Sequence, residues 1–192
     1  MGIDFRELRA DEICCRIGQI SKSGNGLTLL LFKNARTDAD ILDETVGPEN
    51  WQCDFYECKG TLFCKVGILC ERPEVNGVRG LREWVWKDDA GAPSNMEAQK
   101  GEASDAFKRA CYKWGIGRAL YSSPRIWVDN KKCNIKQGSN GRYQCYDTFS
   151  VAKIKYHDGE IVGLAIRHDN SSLIVFTYVK PGFGKEENDR QQ

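Results

Sequence analysis

The chain has 192 residues, and 28 Lys and Arg residues face 27 Asp and Glu residues, so its formal net charge is +1. This balance excludes a global positive field, and any binding to nucleic acid must use a local basic patch. No run approaches the roughly 20 apolar residues of a membrane helix, so we expect no membrane partner. The nine cysteines are an odd number, and because the opening is charged throughout we expect no secretory signal. They predict free thiols in a reducing cytosol.

The first part of the chain is expected to form a helix, a strand and a second helix. Apolar residues at near-helical spacing predict a helix over residues 5–18, and the run Leu27–Phe32 predicts a strand. Thr37 and Asp40 resemble a helix cap, and a Gly-Pro stop follows, so we expect a short helix over residues 38–46.

The middle of the chain predicts an antiparallel meander that leads into a long helix. Candidate strands cover residues 51–56, 62–69 and 81–87, with glycine-bearing turns at 59–60 and 76–77. Ser94 and Glu97 have the spacing of a capping box, and Gly115 can end a helix, so we expect a helix over residues 95–114. Its apolar stripe comprises Ala103, Ala106, Phe107, Ala110, Cys111 and Trp114.

The last part of the chain predicts a long polar loop over residues 130–143 and a second set of strands. The strands are expected near residues 148–156, 161–166 and 173–178, with a hairpin turn at Asp158-Gly159. From Lys180 onward the chain has few apolar residues, which is typical of disorder. We therefore expect one domain over residues 1–179 and a disordered tail over residues 180–192.

The exposed face of the long helix carries the functional prediction. At 100° per residue, Lys108, Arg109 and Tyr112 lie opposite the apolar stripe, and Lys113 lies at its border. Lys and Arg neutralise phosphates, and an aromatic ring can stack on a base. The alternative is a solvated face on which Asp105 pairs with the basic residues three and four positions later.

A second basic group stands at the end of the first predicted strand. It comprises Lys33 and Arg36, with Lys22 on the preceding turn. A strand end and a helix face can converge on one groove, which would bring this group beside the long helix. The alternative is again a solvated loop.

The string KGEASDAFKRACYKWGIGRALY, residues 100–121, resembles the signature helix of the Rad52/Rad22 superfamily of single-strand annealing proteins. The opening LRADEICCRIGQI resembles the N-terminal helix of that family, and NARTDADILDETVGPENWQ resembles its segment in which a short helix precedes an aromatic strand. Two predicted meander strands, 62–69 and 81–86, fall where the family has them. The resemblance covers residues 5–127 and is closest to short bacterial and phage members.

The resemblance implies an α+β fold with an antiparallel β-β-β-α core, which assembles into rings or filaments, and the strands predicted above add a C-terminal β-meander. It implies a protein that binds single-stranded DNA and promotes annealing of complementary strands in recombination and repair. A host recombinase or single-strand binding protein is a further possible partner, and the location would be the cytoplasm or nucleoid. No phosphate-binding loop of the G-x-x-x-x-G-K-[ST] type is present, so we expect ATP independence and no cofactor.

The family's basic positions can be matched to this chain one by one. Lys108 and Arg109 match the basic pair that touches the DNA backbone, and Lys100 matches another basic position of the motif. Tyr112 stands where eukaryotic members carry a further arginine. The predicted DNA-binding residues are therefore Lys33, Arg36, Lys100, Lys108, Arg109, Tyr112 and Lys113.

Two other functions remain open from the residues. A metal-dependent nuclease would use clustered carboxylates, for which the candidates are Asp88, Asp89, Glu97, Glu102 and Asp105. Their helical angles spread widely, and a cap and ion pairs explain two of them, so we expect no enzyme. The other alternative is an assembly protein without DNA activity, whose aromatic residues serve only subunit contacts.

Overall fold

The computed structural model of the chain describes residues 2–72, 80–92 and 98–184, and of residues 98–100 it describes the backbone alone. Two compact units are present, Met1–Arg6 with Lys33–Gly117 and Glu7–Phe32 with Arg118–Gln192. We call them the first and the second unit. Each has its own core, whereas the sequence suggested a single domain over residues 1–179, and that boundary stays a prediction.

Helices and antiparallel sheets confirm the predicted α+β class. In chain order the described strands are β1 (Cys14–Ile20), β2 (Gly26–Phe32), β3 (Trp51–Cys58), β4 (Thr61–Glu71), β5 (Arg82–Ala90), β6 (Ile126–Asp129), β7 (Lys136–Gln137), β8 (Tyr143–Gln144), β9 (Phe149–His157), β10 (Glu160–His168) and β11 (Ile174–Val179). The described α-helices are α1 (Ala35–Val46) and α2 (Ala98–Trp114).

The first unit contains the predicted β-β-β-α core. Strands β3, β4 and β5 form an antiparallel sheet in that order, and α2 packs on β4 and β5. The side chains of Cys64, Val66 and Ile68 alternate along β4 towards the helix and are fully buried. The β3–β4 turn at Lys59-Gly60 has φ angles of 53° and 75°, the positive values that a tight two-residue hairpin requires.

Helix α1 begins three residues earlier than the sequence predicted. The cap is Asn34, whose side-chain oxygen accepts a hydrogen bond from the backbone N–H of Thr37 at 3.0 Å. The predicted cap pair of Thr37 and Asp40 therefore lies inside the helix. Ile41 and Leu42 are fully buried, as their spacing indicated.

The second unit is built on a six-stranded antiparallel sheet in the order β11-β10-β9-β1-β2-β6. Strands β9, β10 and β11 form the predicted C-terminal meander. The Asp158-Gly159 turn joins the first two of them, with φ angles of 49° and 73°. The predicted loop over residues 130–143 holds a 3₁₀ turn and part of the short β7–β8 hairpin.

The helix predicted over residues 5–18 is wrong. The segment forms a 3₁₀ turn, Ala10–Glu12, and then β1, which pairs with β2. Along β1, Cys15 and Ile17 are half-buried while Arg16 and Gly18 are exposed, which is the two-residue period of a strand. The helical spacing was accidental, and pairing with the apolar β2 decided the structure.

The remaining predictions concern the ends of elements and the tail. Residues 76–77, 94 and 97, which carry a predicted turn and the capping box, lie outside the described residues. Of the predicted tail, residues 180–184 pack on the second unit: the N–H of Lys180 donates to the carbonyl of Val162, and the Phe183 ring lies 4.9 Å from that of His157. Residues 185–192 lie outside the described residues. No helix among the described residues is long and apolar enough to cross a membrane.

Candidate nucleic-acid interface

Helix α2 is held on the sheet in one orientation, and this orientation decides which of its side chains face solvent. Ala106, Phe107, Ala110 and Cys111 are buried against the sheet. At the C-terminal end, the indole N–H of Trp114 donates to the carbonyl of Val66 on β4 at 2.9 Å. The predicted apolar stripe is therefore correct, and the opposite face carries the basic residues outward.

Lys108 lies on this outward face and is partly screened by a neighbouring acid. Its side chain is 27% exposed, and its ammonium nitrogen lies 3.7 Å from Oδ1 of Asp105, one helical turn earlier. The positive charge of Lys108 also opposes the rise of the Asp38 pKa that burial causes. Half of the predicted Asp105 pairing is thus present.

Arg109 and Lys113 converge on one carboxylate of the sheet. Nη2 of Arg109 lies 3.3 Å from Oδ1 of Asp89, and Nζ of Lys113 lies 3.6 Å from Oδ2 of the same residue. The two basic side chains are 47% and 45% exposed, whereas that of Asp89 is 19% exposed. The carboxylate therefore lies beneath two cations whose outer sides face solvent.

Lys113 is anchored to β5 by a second contact, and Tyr112 beside it is half-buried on α2. The ammonium of Lys113 donates to the backbone carbonyl of Asp88, and Lys87 on the same strand donates to the carbonyl of Lys113 at 3.0 Å. Lys87 also lies 4.4 Å from the centre of the Trp114 ring, which is cation–π geometry. The C-terminal end of α2 is thus fixed on β5, together with its basic side chains.

The structure corrects the prediction for Lys33. Its side chain is only 7% exposed and forms an ion pair with Asp38, which is fully buried. Burial raises the pKa of Asp38 to about 6, and the attraction of the Lys33 ammonium opposes that rise. A charge held inside the fold by a buried partner cannot reach a DNA phosphate, so Lys33 has a structural role.

The other two predicted residues lie on helix ends. Arg36 is exposed in the first turn of α1 and forms no ion pair with a described residue. Lys100 lies in the first turn of α2, and its side chain is outside the described residues. The first unit therefore brings together Lys108, Arg109, Tyr112 and Lys113 on α2.

Among the described residues, the three cations have two ion-paired carboxylates: Asp105 lies beside Lys108, and Asp89 lies beside Arg109 and Lys113. The helical spacing indicated Asp105 as one counter-charge but did not indicate Asp89. The strand pattern contained this information: Asp89 follows Val85 by four residues and Lys87 by two. Because alternate residues of a strand share a face, these three residues lie on the same side of β5.

Four of the five carboxylates that a nuclease could use have other partners, and Glu97 lies outside the described residues. Asp88 accepts a hydrogen bond from the Tyr56 hydroxyl, and Glu102 accepts one from the N–H of Leu62 at 3.3 Å. Asp105 accepts one from the N–H of Ala92 at 3.1 Å. Within residues 2–72, 80–92 and 98–184, no group of three or more His, Cys, Asp or Glu side chains is placed to hold a metal ion.

Comparison with known proteins gives the family of the chain. The model of the Rad52/22 family of double-strand break repair proteins matches residues 34–139, more than half of the chain, including α1, the β3–β4–β5 sheet and α2. The chain belongs to the Rad52/22 family. The matched range begins after β2, so it does not include the opening that we compared with the family's N-terminal helix.

Two relatives of this Rad52/22 family member are named as single-stranded DNA-binding protein DdrA. The protein of Deinococcus radiodurans is 35% identical over 102 residues, which are 53% of this chain and 44% of the relative. The protein of Deinococcus deserti is 33% identical over 121 residues, 62% of this chain and 55% of the relative. The chain thus spans about half the length of these curated relatives. No solved structure matches the chain.

Proposed function

We propose that this chain binds single-stranded DNA and promotes the annealing of complementary strands in recombination and repair. The observation that carries the proposal is the outward face of α2, where Lys108, Arg109 and Lys113 stand beside Tyr112 within the family-matched region. Family membership and the name of the Deinococcus relatives support it.

The chemistry of this face suits a sugar-phosphate backbone. Arg109 and Lys113 present their solvent sides to a phosphate, Lys108 adds a charge one turn earlier, and Arg36 adds one on α1. The half-buried ring of Tyr112 can pack against a sugar or a base. Contacts of this kind do not depend on base sequence, so the bases stay available to test a complementary strand.

The proposal includes assembly and excludes catalysis. We propose that several copies of the chain form a ring or filament along one DNA strand, that annealing needs neither ATP nor another cofactor, and that no bond of the DNA is cut. The corresponding location is the cytoplasm or nucleoid. A host recombinase or single-strand binding protein is a possible further partner.

The test compares annealing by the wild-type chain and by the double variant Lys108→Ala, Arg109→Ala. Two fluorescently labelled complementary oligonucleotides are mixed without ATP, and pairing is followed by energy transfer. Wild type is expected to accelerate pairing, and the double variant is expected to lose most of the effect. The matched control, Lys153→Ala with Arg167→Ala, removes one exposed Lys and one exposed Arg from the second unit.

The salt dependence of DNA binding gives a second, independent test of the binding surface on α2. Each phosphate neutralised on a single strand contributes about −0.7 to the slope of log K against log salt, so three contacts predict a slope of about −2 per chain. Equal annealing by wild type and the α2 variant would refute this surface as the binding site. Shortened oligonucleotides in the presence of magnesium or manganese would favour a nuclease, and unchanged DNA with no binding would favour an assembly protein.

A further inference from the structure

In the cluster of Arg109, Lys113 and Asp89, the carboxylate pairs with both cations, as a bound anion would. The two oxygens of the Asp89 carboxylate lie against two different cations, at 3.3 Å and 3.6 Å. A phosphodiester likewise presents two non-bridging oxygens that share one negative charge. The carboxylate on β5 therefore offers Arg109 and Lys113 the same kind of partner that a DNA backbone would offer.

Neither ion pair of Asp89 has the short N–O distance of a strong charge-assisted hydrogen bond, so another anion can compete for the two cations. Charge-assisted N–H···O contacts have optimal lengths of about 2.7–2.9 Å, and both pairs are longer. Oδ1 of Asp89 also accepts a hydrogen bond from the N–H of Ala90 at 2.8 Å, so the oxygen nearer Arg109 is shared. Half-exposed ion pairs of this type contribute little to stability, because water competes for both charges.

The cations can remain in place when a second anion arrives. Lys113 keeps its hydrogen bond to the backbone carbonyl of Asp88, and the α2 end is held by the Trp114 contact with β4. Arg109 and Lys113 lie one helical turn apart with nearly half of each side chain in solvent. Asp89, beneath them, is the less exposed group and repels any phosphate placed on top.

We propose that Asp89 competes with a DNA phosphate for Arg109 and Lys113. The carboxylate holds the two cations in the DNA-free chain and lowers the affinity for DNA. This inference rests on the proposed binding of single-stranded DNA. It adds a residue of β5 that weakens binding and therefore helps the DNA to be released after annealing.

The test measures the affinity of a fluorescein-labelled single-stranded oligonucleotide by anisotropy for wild type and Asp89→Asn. Removing the competing charge is expected to tighten binding by about threefold to tenfold, since each lost exposed ion pair is worth up to about fivefold. The matched control is Asp54→Asn, which removes one exposed carboxylate from β3, where it lies 3.2 Å from Lys65. Circular dichroism and urea unfolding establish that each variant is folded.

A second background separates local competition from net charge. When Arg109→Met and Lys113→Met are both present, Asp89→Asn is expected to change the affinity by less than about twofold, because both cations are gone. An equal gain from Asp54→Asn would show that net charge alone acts and would overturn the proposal. Weaker binding by a folded Asp89→Asn chain would also overturn it, since Asp89 would then hold the cations for DNA. If the wild-type chain binds no DNA, both the proposed function and this inference are refuted.

Discussion

The buried ion pair of Lys33 and Asp38 predicts that part of the stability of the first unit falls as the pH rises. Asp38 is fully buried in the first turn of α1, and one of its carboxylate oxygens, Oδ2, has no hydrogen-bond partner among the described residues. Lys33 forms an ion pair with this carboxylate, and the positive charge of Lys108 adds to the compensation. Replacement of Asp38 by Asn keeps the shape of the side chain and removes its titration, so the two chains differ chiefly in one ionisation.

The magnitude follows from the shift of the Asp38 pKa. Burial raises this pKa from 3.8 to about 6, with the Lys33 charge opposing the rise. Each unit corresponds to about 1.4 kcal/mol, so the whole shift is worth about 3 kcal/mol. Between pH 4 and pH 6 the unfolded chain has lost this proton while the folded chain still holds it. The unfolding free energy of wild type should therefore fall by about 3 kcal/mol relative to Asp38→Asn as the pH rises through this window.

The assay is urea unfolding at a series of pH values from 3.5 to 7, followed by tryptophan fluorescence. Four of the five tryptophans report on the first unit, namely Trp51, Trp84, Trp86 and Trp114. Asp40→Asn removes an exposed carboxylate from the same helix and measures the effect of charge loss alone. A difference between wild type and Asp38→Asn that stays constant, or that moves in favour of wild type as the pH rises, would refute the reasoning.

Close packing and a hydrogen-bonded carboxylate give two further predictions. A Cβ on Gly91 would lie 2.2 Å from the backbone carbonyl oxygen of Glu102, whereas one on Gly67 would lie 2.8 Å from the half-exposed ring of Trp86. A ring can shift to make room, whereas a helix backbone cannot. In urea titrations, Gly91→Ala should therefore lower the unfolding free energy by at least about 2 kcal/mol and Gly67→Ala by about 1 kcal/mol. Equal losses of unfolding free energy would contradict this reasoning. Asp147 accepts three hydrogen bonds from Asn134, one from the backbone N–H and two from the side-chain amide, and its Oδ2 lies 3.1 Å from the His168 ring. Asp147→Ala should therefore lower the unfolding free energy by about 3 kcal/mol in the same titrations, and a loss below about 1 kcal/mol would show that water replaces these contacts.

The β-β-β-α core could be predicted from the sequence because local and long-range signals agree there. Alternate residues of β4 are apolar, the turn residues at 59–60 allow the positive φ angles of a tight hairpin, and the apolar stripe of α2 has a helical period. Each signal specifies the same packing of the helix on the sheet. The basic face of α2 followed directly, since it is the face that this packing leaves outside.

The errors arose where a contact distant in sequence decides the outcome. Residues 14–20 match a helical spacing and also a strand, and only pairing with β2 selects the strand. From the sequence, Lys33 has the pattern of an exposed basic residue, whereas the fold places it in an ion pair with the buried Asp38. The partner of Arg109 is likewise 20 residues away on β5, although Asp105 is its neighbour on the helix. Residue spacing along the sequence identifies interaction partners on the same helix, but it does not identify partners that lie on another element of the fold.

The distribution of charge links the site to the proposed assembly. Among the described side chains of the site, three cations on α2 have two ion-paired carboxylates, so a single copy should hold a DNA strand weakly at physiological salt. In the proposed assembly, copies aligned on one strand would add their contacts, because the second binding event is intramolecular once the first has occurred. Weak individual sites that add in this way hold the strand as a whole and let each segment detach to test a complement. Annealing needs both properties, and a site of three unopposed cations would favour holding over release.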